Sequence, residues 1–411
     1  MSPRTTTSLR TPRALIAVAA LGALGAVAGC ADGGTGGEAA PGTPGAAAPA
    51  TPATPGQTDQ PRSGPADPDD PFVIEEVASI SEPWAMTFLP DGTALITQRS
   101  GTLAHFDPAT GQNSTVTGTP QVVHAGQGGL GDVVLAPDFE QSRHVYLSWA
   151  ESGDGGSGAA VGRATLAADS SALEGLEVIW RQEPKDSGNG HYGHRMAFSP
   201  DGQHLFVTSG DRQKLDPAQD LGNTLGTIVR LNPDGSPAQG NPFADRGGVS
   251  AQIWSYGHRN PLGIAFDPDG NLWSTEMGPR GGDELNLITQ GQNYGWPSAS
   301  QGRHYSGQDI PDHADGDGFT PPAAYWVPAI SPGNLLIYTG EQFADWQGDA
   351  LIGGLSGQSI SRVQLEGTQA TKANEWDMGQ RIRELEQGPD GAIWALTDGN
   401  NGQILKLTPK A

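Results

Sequence analysis

Residues 187–215 read SGNGHYGHRMAFSPDGQHLFVTSGDRQKL. A glycine-rich loop holding His191 and His194 leads into a strand-like run, Met196 to Ser199. Pro200-Asp201-Gly202 then fixes a tight turn: proline sets φ, aspartate bonds the backbone, and glycine accepts φ > 0. A second strand, His204 to Ser209, follows and ends at Gly210-Asp211. Apolar runs on both sides of such a turn predict a β-hairpin. Imidazole is the side chain best suited to move protons near neutral pH, and a loop opening into a rigid hairpin is a usual way to present one. The alternative is a polar loop whose histidines only make hydrogen bonds.

The same unit recurs. Met86 to Gly92 precedes Ala94–Thr97, Ile264 to Gly270 precedes Leu272–Thr275, and Pro389 to Gly391 precedes Ala392–Thr397. A degenerate copy, Val133 to Phe139, precedes His144–Ser148. The copies are tens of residues apart, with a gap of about two periods before the last. One supersecondary unit per period points to the blades of a β-propeller. About 340 residues at roughly 50–60 per blade predicts an all-β, six-bladed propeller over residues 71–411. An array of β-sandwiches would not need a common turn at this spacing. Loops of a propeller gather at a central mouth, so residues distant in sequence can meet there.

The N-terminal part is of another kind. Arg4, Arg10 and Arg13 precede an apolar run, Ala14 to Ala28, and then Gly29-Cys30. This is the pattern of a secretory signal, too short for a spanning helix of about 20 residues. Val27 to Cys30 resembles a bacterial lipobox, and Cys30 is the only cysteine of the chain. A lipoprotein signal over residues 1–29, lipidation of Cys30 and an extracytoplasmic, lipid-anchored protein on the outer face of the cell membrane are the expectation; an ordinary secreted protein is the alternative. Residues 30–70 are rich in Gly, Pro and Ala with almost no large apolar side chain, the composition of a disordered tether. The formal net charge of −23 disfavours nucleic acid or an anionic membrane surface as partner.

Four loop clusters carry polar chemistry. Gly126-Gln127-Gly128-Gly129 allows backbone to approach a ligand closely, or is a plain turn. Tyr256 to Pro261 places His258, Arg259 and Asn260 at the entrance to a strand; the guanidinium suits anionic oxygens or a developing alkoxide, or else holds neighbouring carbonyls. Glu276 to Asn286 mixes glycines with Asp283 and Glu284, a set of carbonyls and carboxylates suited to a hard cation such as Ca²⁺. Arg381 and Arg383 share one face of a β run and could grip carboxylates of a ligand, or blunt an edge strand.

Taken in order, GQGGLGDVVLAPDF at 126–139, the His191-to-Arg195 loop, Gly210-Asp211, YGHRNPLG at 256–263 and NLITQGQNYGWP at 286–297 resemble the soluble quinoprotein glucose and aldose sugar dehydrogenases. The resemblance implies a six-bladed propeller that oxidises the C1 hydroxyl of aldoses to lactones with pyrroloquinoline quinone (PQQ) and Ca²⁺. It implies that His191 is the general base, supported by Asp211, with Gln127 beside quinone and sugar and with Arg259 and Asn260 on the quinone. Gly278 and Pro279 would give backbone carbonyls to the quinone-bound Ca²⁺, and Arg381 and Arg383 would hold quinone carboxylates. Asp283, Glu284 and Tyr294 would form a second, structural Ca²⁺ region. An external electron acceptor would reoxidise the quinol. The chain departs from the pattern at Ser356, where glucose dehydrogenases of this group place a lysine, and at Gly190, where some members carry an acid; the second leans toward the broader aldose branch. A Ca²⁺-dependent sugar lactonase and a non-catalytic cell-surface binding propeller are the rival functions.

Overall fold

The computed structural model describes residues 70–410; the predicted leader, Cys30 and all of the predicted tether except Asp70 lie outside the described residues. The described residues form twenty-four strands in six four-stranded antiparallel sheets, the expected all-β propeller. Five blades run in chain order, their first strands being Pro83–Phe88, Leu130–Leu135, Gly193–Phe198, Pro261–Phe266 and Leu336–Ile337. The sixth contains Ile382–Gln387, Ile393–Thr397 and Gly402–Pro409, and its outer strand is Phe72–Ile80 from the opposite end of the chain. Phe72 lies opposite Pro409 and Ile80 opposite Gly402, so this pairing closes the ring.

The Pro-Asp-Gly turns join the first and second strands of their blades. In the first blade Gly92 N–H donates to Leu89 O at 2.9 Å, and Asp91 Oδ1 accepts from Thr93 N at 3.0 Å. Gly92, Gly202, Gly270 and Gly391 take φ of 86°, 69°, 85° and 82°, the left-handed region where an L side chain would be strained. The fifth blade has no such turn, and this accounts for the missing period. A further copy, Pro233-Asp234-Gly235, lies between the third and fourth strands of the third blade. In an antiparallel blade both kinds of connection emerge on the same side, so every Pro-Asp-Gly turn sits on one face of the ring. The loops that enter each first strand, and those that leave each second strand, sit on the other.

At that other face, ladder register slips between first and second strand in five blades. The slips fall at Pro83/Ala85, Leu130/Val133, Gly193/Met196, Pro261/Gly263 and Ile382/Glu384. A bulge at a rim re-aims the side chains it releases. His194 is one of these. The sequence suggested a loop for it, but Gly193–Phe198 is a strand and only His191 stays outside.

Among the described residues six large apolar clusters occur, each at a junction between neighbouring blades. Leu95 and Leu103 of the first blade pack with Val133 and Leu147 of the second, and Ile96 and Phe106 of the first with Trp394 and Ile404 of the sixth. A fully buried leucine contributes about 1.5–3 kcal/mol, so the ring is held by its seams rather than by one centre. The axis is polar: a channel of about 190 Å³ there is lined by Asp132, Arg195, Glu384 and Glu386.

Candidate active site

A cavity of about 210 Å³ opens on the loop face. Its walls include Gln127, Asn260, Arg381 and Arg383, together with Trp84, Arg99, His194, Leu262 and Asp398. Trp84, His194, Leu262 and Arg383 all sit at register slips. Arg383 is on the innermost strand of its blade, at the inner edge of that sheet, and both arginines line the cavity, which favours the ligand-gripping reading over an edge merely blunted by charge.

His191 borders this cavity through its contacts. Its backbone N–H donates to Gln127 Oε1 at 2.6 Å, and Gln127 is a wall residue. His191 has φ of 50°, and its loop is held by Arg212, whose guanidinium donates to the carbonyls of Gly190 and Gly188 and lies 3.8 Å from the centre of the Tyr192 ring. A Cβ at Gly190 would meet the Gln213 side chain at 2.7–2.9 Å, so an acid there would displace Gln213.

His191 Nδ1 is 2.6 Å from Asp211 Oδ1. Asp211 is fully buried, and it also accepts from Trp296 Nε1 at 2.8 Å and Gln213 N at 2.8 Å. Burial acts to raise the Asp211 carboxyl, but the hydrogen bonds from His191, Trp296 and Gln213 outweigh it and hold the carboxyl below its usual value. Burial, reinforced by the positive charges of Arg259 and Arg212, pushes the His191 imidazole down against the raising effect of Asp211. A neutral ring facing an ionised carboxylate keeps its proton on Nδ1, and Nε2 carries the lone pair.

Arg259 stands next to this pair. Its carbonyl accepts from Asp211 N at 2.8 Å, and its guanidinium lies 5.3 Å from the centre of the Trp296 ring. Arg259 Nη1 donates to Met277 O and Gly278 O, both at 2.8 Å. Met277 lines both the main cavity and a smaller hollow of about 10 Å³ walled by Arg259, Gly278, Glu276, Glu284 and Tyr294. His191, Arg259 and Gly278 are thus connected through shared neighbours, although none of the three lines the main cavity.

The residues with metal expectations divide. Asp283 accepts three backbone N–H groups, from Gly278 at 2.8 Å, Ile330 at 2.7 Å and Ser331 at 2.6 Å, so its carboxylate serves as a loop clamp. The Tyr294 phenol donates to Leu287 O at 2.5 Å, which leaves its backbone rather than its side chain for a cation. Glu284 and Glu276 share the Asn286 amide at 3.1 Å and 3.0 Å. Burial and then the charge of Glu276 push the Glu284 carboxyl well above its usual value. Asn286 Oδ1 has no partner. Two crowded carboxyls and an orphaned oxygen suit a cation, and the hollow has room for a single small occupant. Among the described residues no three His, Cys, Asp or Glu side chains could hold a metal by themselves, so carbonyls such as those of Gly278 and Pro279 would have to contribute.

Arg381 and Arg383 both pair with Asp398, at 2.8 Å and 2.9 Å. Two guanidiniums against one carboxylate leave positive charge at the cavity, to which Arg99 adds. Ser356 is exposed and bonds Ser331 Oγ at 2.8 Å; its neighbour Leu355 reaches the cavity, and Ser356 does not. Asp398, Arg212 and Trp84 were not singled out from sequence, and Trp296 entered only as part of the NLITQGQNYGWP motif. Asp398 had a signal: like Asp211 and Glu276, it is an acid where a second strand ends.

The chain matches the family model Glucose / Sorbosone dehydrogenase over residues 80–406. It is 42% identical over 339 residues to aldose sugar dehydrogenase YliI of Escherichia coli (strain K12), covering 80% of this chain and 91% of that protein. The apo crystal structure of the soluble E. coli aldose sugar dehydrogenase superposes with a TM-score of 0.79 at 40% identity, over 82% of this chain and 100% of the other. The PQQ-bound aldose sugar dehydrogenase of Streptomyces coelicolor superposes with a TM-score of 0.69 at 28% identity, over 82% and 98%. With a neutral histidine backed by a carboxylate beside a cationic cavity on this fold, the chain belongs to the glucose/sorbosone dehydrogenase family and is a sugar dehydrogenase, an oxidoreductase.

Proposed function

We propose that this protein oxidises the C1 hydroxyl of aldose sugars to lactones, with PQQ as bound cofactor and Ca²⁺ beside it. The observation that carries the reading is the neutral His191 paired with ionised Asp211 at the border of a cavity walled by arginines. A hemiacetal hydroxyl is a weak acid and needs a positioned base. Nδ1–H is engaged by Asp211, so Nε2 takes the C1 hydroxyl proton, and Asp211 steadies the imidazolium that results. Trp296 and the Gln213 amide keep that carboxylate in place. When bound, the quinone supplies the two-electron acceptor for the hydride leaving C1.

The residues present fit such a molecule. Arg381 and Arg383, oriented by Asp398, would hold its carboxylates, while Gln127 and Asn260 border it. The Arg259 guanidinium would face developing negative charge. Gly278 O has one lone pair on Arg259, which leaves the other for Ca²⁺. Glu284, with backbone carbonyls around it, would hold a second Ca²⁺ in the small hollow. An outside acceptor must then reoxidise the quinol. The basic and apolar leader with Cys30 supports export and lipid anchoring, which would put sugar and acceptor outside the cytoplasm; a Cys30→Ser variant should leave the membrane fraction.

The deciding experiment reconstitutes purified protein with PQQ and Ca²⁺ and follows dye reduction over a panel of aldoses, with the product identified as the lactone. Absence of dye reduction with every aldose sinks the reading. Lactone hydrolysis without an acceptor would instead favour a hydrolase.

A further inference from the structure

His194 takes no part in the chemistry above, yet its ring stands in the wall of the same cavity. The site around the ring is built for it. A Cβ on Gly131 would lie 2.0 Å from His194 Cε1 and 2.3 Å from Nδ1, so only glycine leaves room. The ring stacks on Trp84 with centroids 5.1 Å apart and planes 20° from parallel, and the residue is 2% exposed. Its φ is 61°, unfavourable for a residue with a side chain, and it occurs at the register slip that turns the ring toward the cavity.

The hydrogen-bond network assigns the tautomer. Ser148 Oγ accepts from Asp132 N–H at 2.8 Å and lies 2.8 Å from His194 Nδ1. A hydroxyl has one hydrogen to give, and the acceptor for it here is Nδ1. The ring proton is therefore on Nε2. Burial, then the charge of Arg195, pushes the imidazole down to about 3, with its own carbonyl a smaller opposing influence. The ring is neutral across the working range and carries one N–H. Among the described residues no group accepts from Nε2, and the cavity is the space left for a partner.

We propose that His194 donates a hydrogen bond from Nε2–H to an oxygen of the quinone held in this cavity, which makes it a cofactor-orienting residue distinct from the arginines. The inference rests on the cofactor reading above. A neutral donor fixes the tilt and depth of a flat ligand without adding charge, whereas Arg99, Arg381 and Arg383 attract anionic groups from any direction. Ser148 and Gly131 act through His194: one sets its tautomer, the other its room.

The test is equilibrium titration of PQQ into the Ca²⁺-loaded wild type, His194→Phe and His194→Gln, read by the absorption band of the bound quinone. Phenylalanine keeps a ring against Trp84 and removes the donor; glutamine restores an N–H. Phenylalanine is expected to raise Kd about tenfold and to shift the bound band, a typical effect of one buried neutral hydrogen bond. Glutamine should return Kd to within about threefold of wild type. The ratio of variant to wild type should be the same at pH 6 and pH 8, because the ring does not titrate between them. A His194→Phe protein with wild-type Kd and spectrum overturns the proposal. Should that variant not fold, ¹⁵N-histidine spectra of the wild type decide instead. The Nε2-bound proton of His194 should move downfield on adding PQQ, and an unmoved resonance overturns the proposal. A wild type that binds no PQQ overturns the cofactor reading and this one together, whereas binding with an indifferent His194 removes this one alone.

Discussion

Asp211→Asn removes one charge and almost no volume. The Asp211 carboxylate accepts from His191 Nδ1, Trp296 Nε1 and the amides of Gln213 and Leu215, the last at 3.3 Å. A carboxylate offers about four lone-pair sites, and all are used. Asparagine has one acceptor oxygen, and its NH₂ would face donors. The least costly repair turns the amide so that its NH₂ donates to Nδ1, which moves the ring proton to Nε2 and removes the base. Loss of a correctly protonated general base lowers turnover about 10²–10⁴-fold, or roughly 2.7–5.5 kcal/mol in the barrier. A lost hydrogen bond to a charged group costs about 1.5–3 kcal/mol, so the melting temperature should fall as well. The pH profile gives the sharper sign. Asp211 raises the His191 imidazole, so its loss should move the acid limb of kcat/KM to lower pH while the plateau falls. The assay is dye-coupled aldose oxidation by reconstituted enzyme between pH 4 and 9, with PQQ affinity measured separately and expected to stay near wild type. A variant whose kcat/KM stays within threefold, with the acid limb unmoved, would refute the pairing as the source of the base.

Four further outcomes are expected. His191→Ala should bind PQQ about as wild type does and lose about 10²–10⁴-fold in turnover, checked by titration and dye reduction on one preparation. Arg383→Ala should weaken PQQ binding more than Arg381→Ala, because the Arg383 side chain is 11% exposed and that of Arg381 41%, so that water and salt screen the second. Glu384→Gln should flatten the pH dependence of thermal stability. Burial pushes the Glu384 carboxyl up to about 8 despite Arg195 at 2.6 Å, so its contribution is full below the ordinary glutamate range and is lost as pH rises toward 8; melts from pH 5 to 8 should show a decline in wild type and less of one in the variant. Deleting the segment through Ile80 should open the sixth blade, expose Ile393 and Leu405, and give a protein that melts earlier or aggregates, seen by scanning calorimetry and light scattering.

The turns made the architecture legible. Proline, aspartate and glycine each meet a separate demand of the same hairpin, so the motif marks a first-to-second-strand connection in four blades. The fifth blade makes that connection without the motif, and Pro233-Asp234-Gly235 uses the motif elsewhere. Neither exception alters the count, because the spacing of the other copies already limits it. The site was legible where chemistry is local, as in the His191 loop and the Arg381/Arg383 alternation. It was not legible where a role depends on partners across blades. Asp283 looks like a cation ligand in a glycine-rich segment, and only the approach of Ile330 and Ser331 shows it to be a clamp. His194 looks like a second loop histidine until the bulge and Gly131 turn its ring into the cavity. Asp398 lies 187 residues from Asp211 in sequence, yet it too follows the end of the second strand of its own blade.

Ring closure by Phe72–Ile80 also determines which way the molecule faces. Lys410 N donates to Pro71 O at 2.9 Å, so the two ends of the folded chain leave side by side, on the face that bears the hairpin turns. From there the nine-residue closing strand runs roughly 30 Å to the opposite rim. A linker joined directly to either end of the folded chain would therefore attach on the underside and leave the reacting mouth turned outward. Immobilised this way, the enzyme would receive sugar freely but sit too far from its support for direct electron exchange, and a diffusing carrier would have to bring the current home.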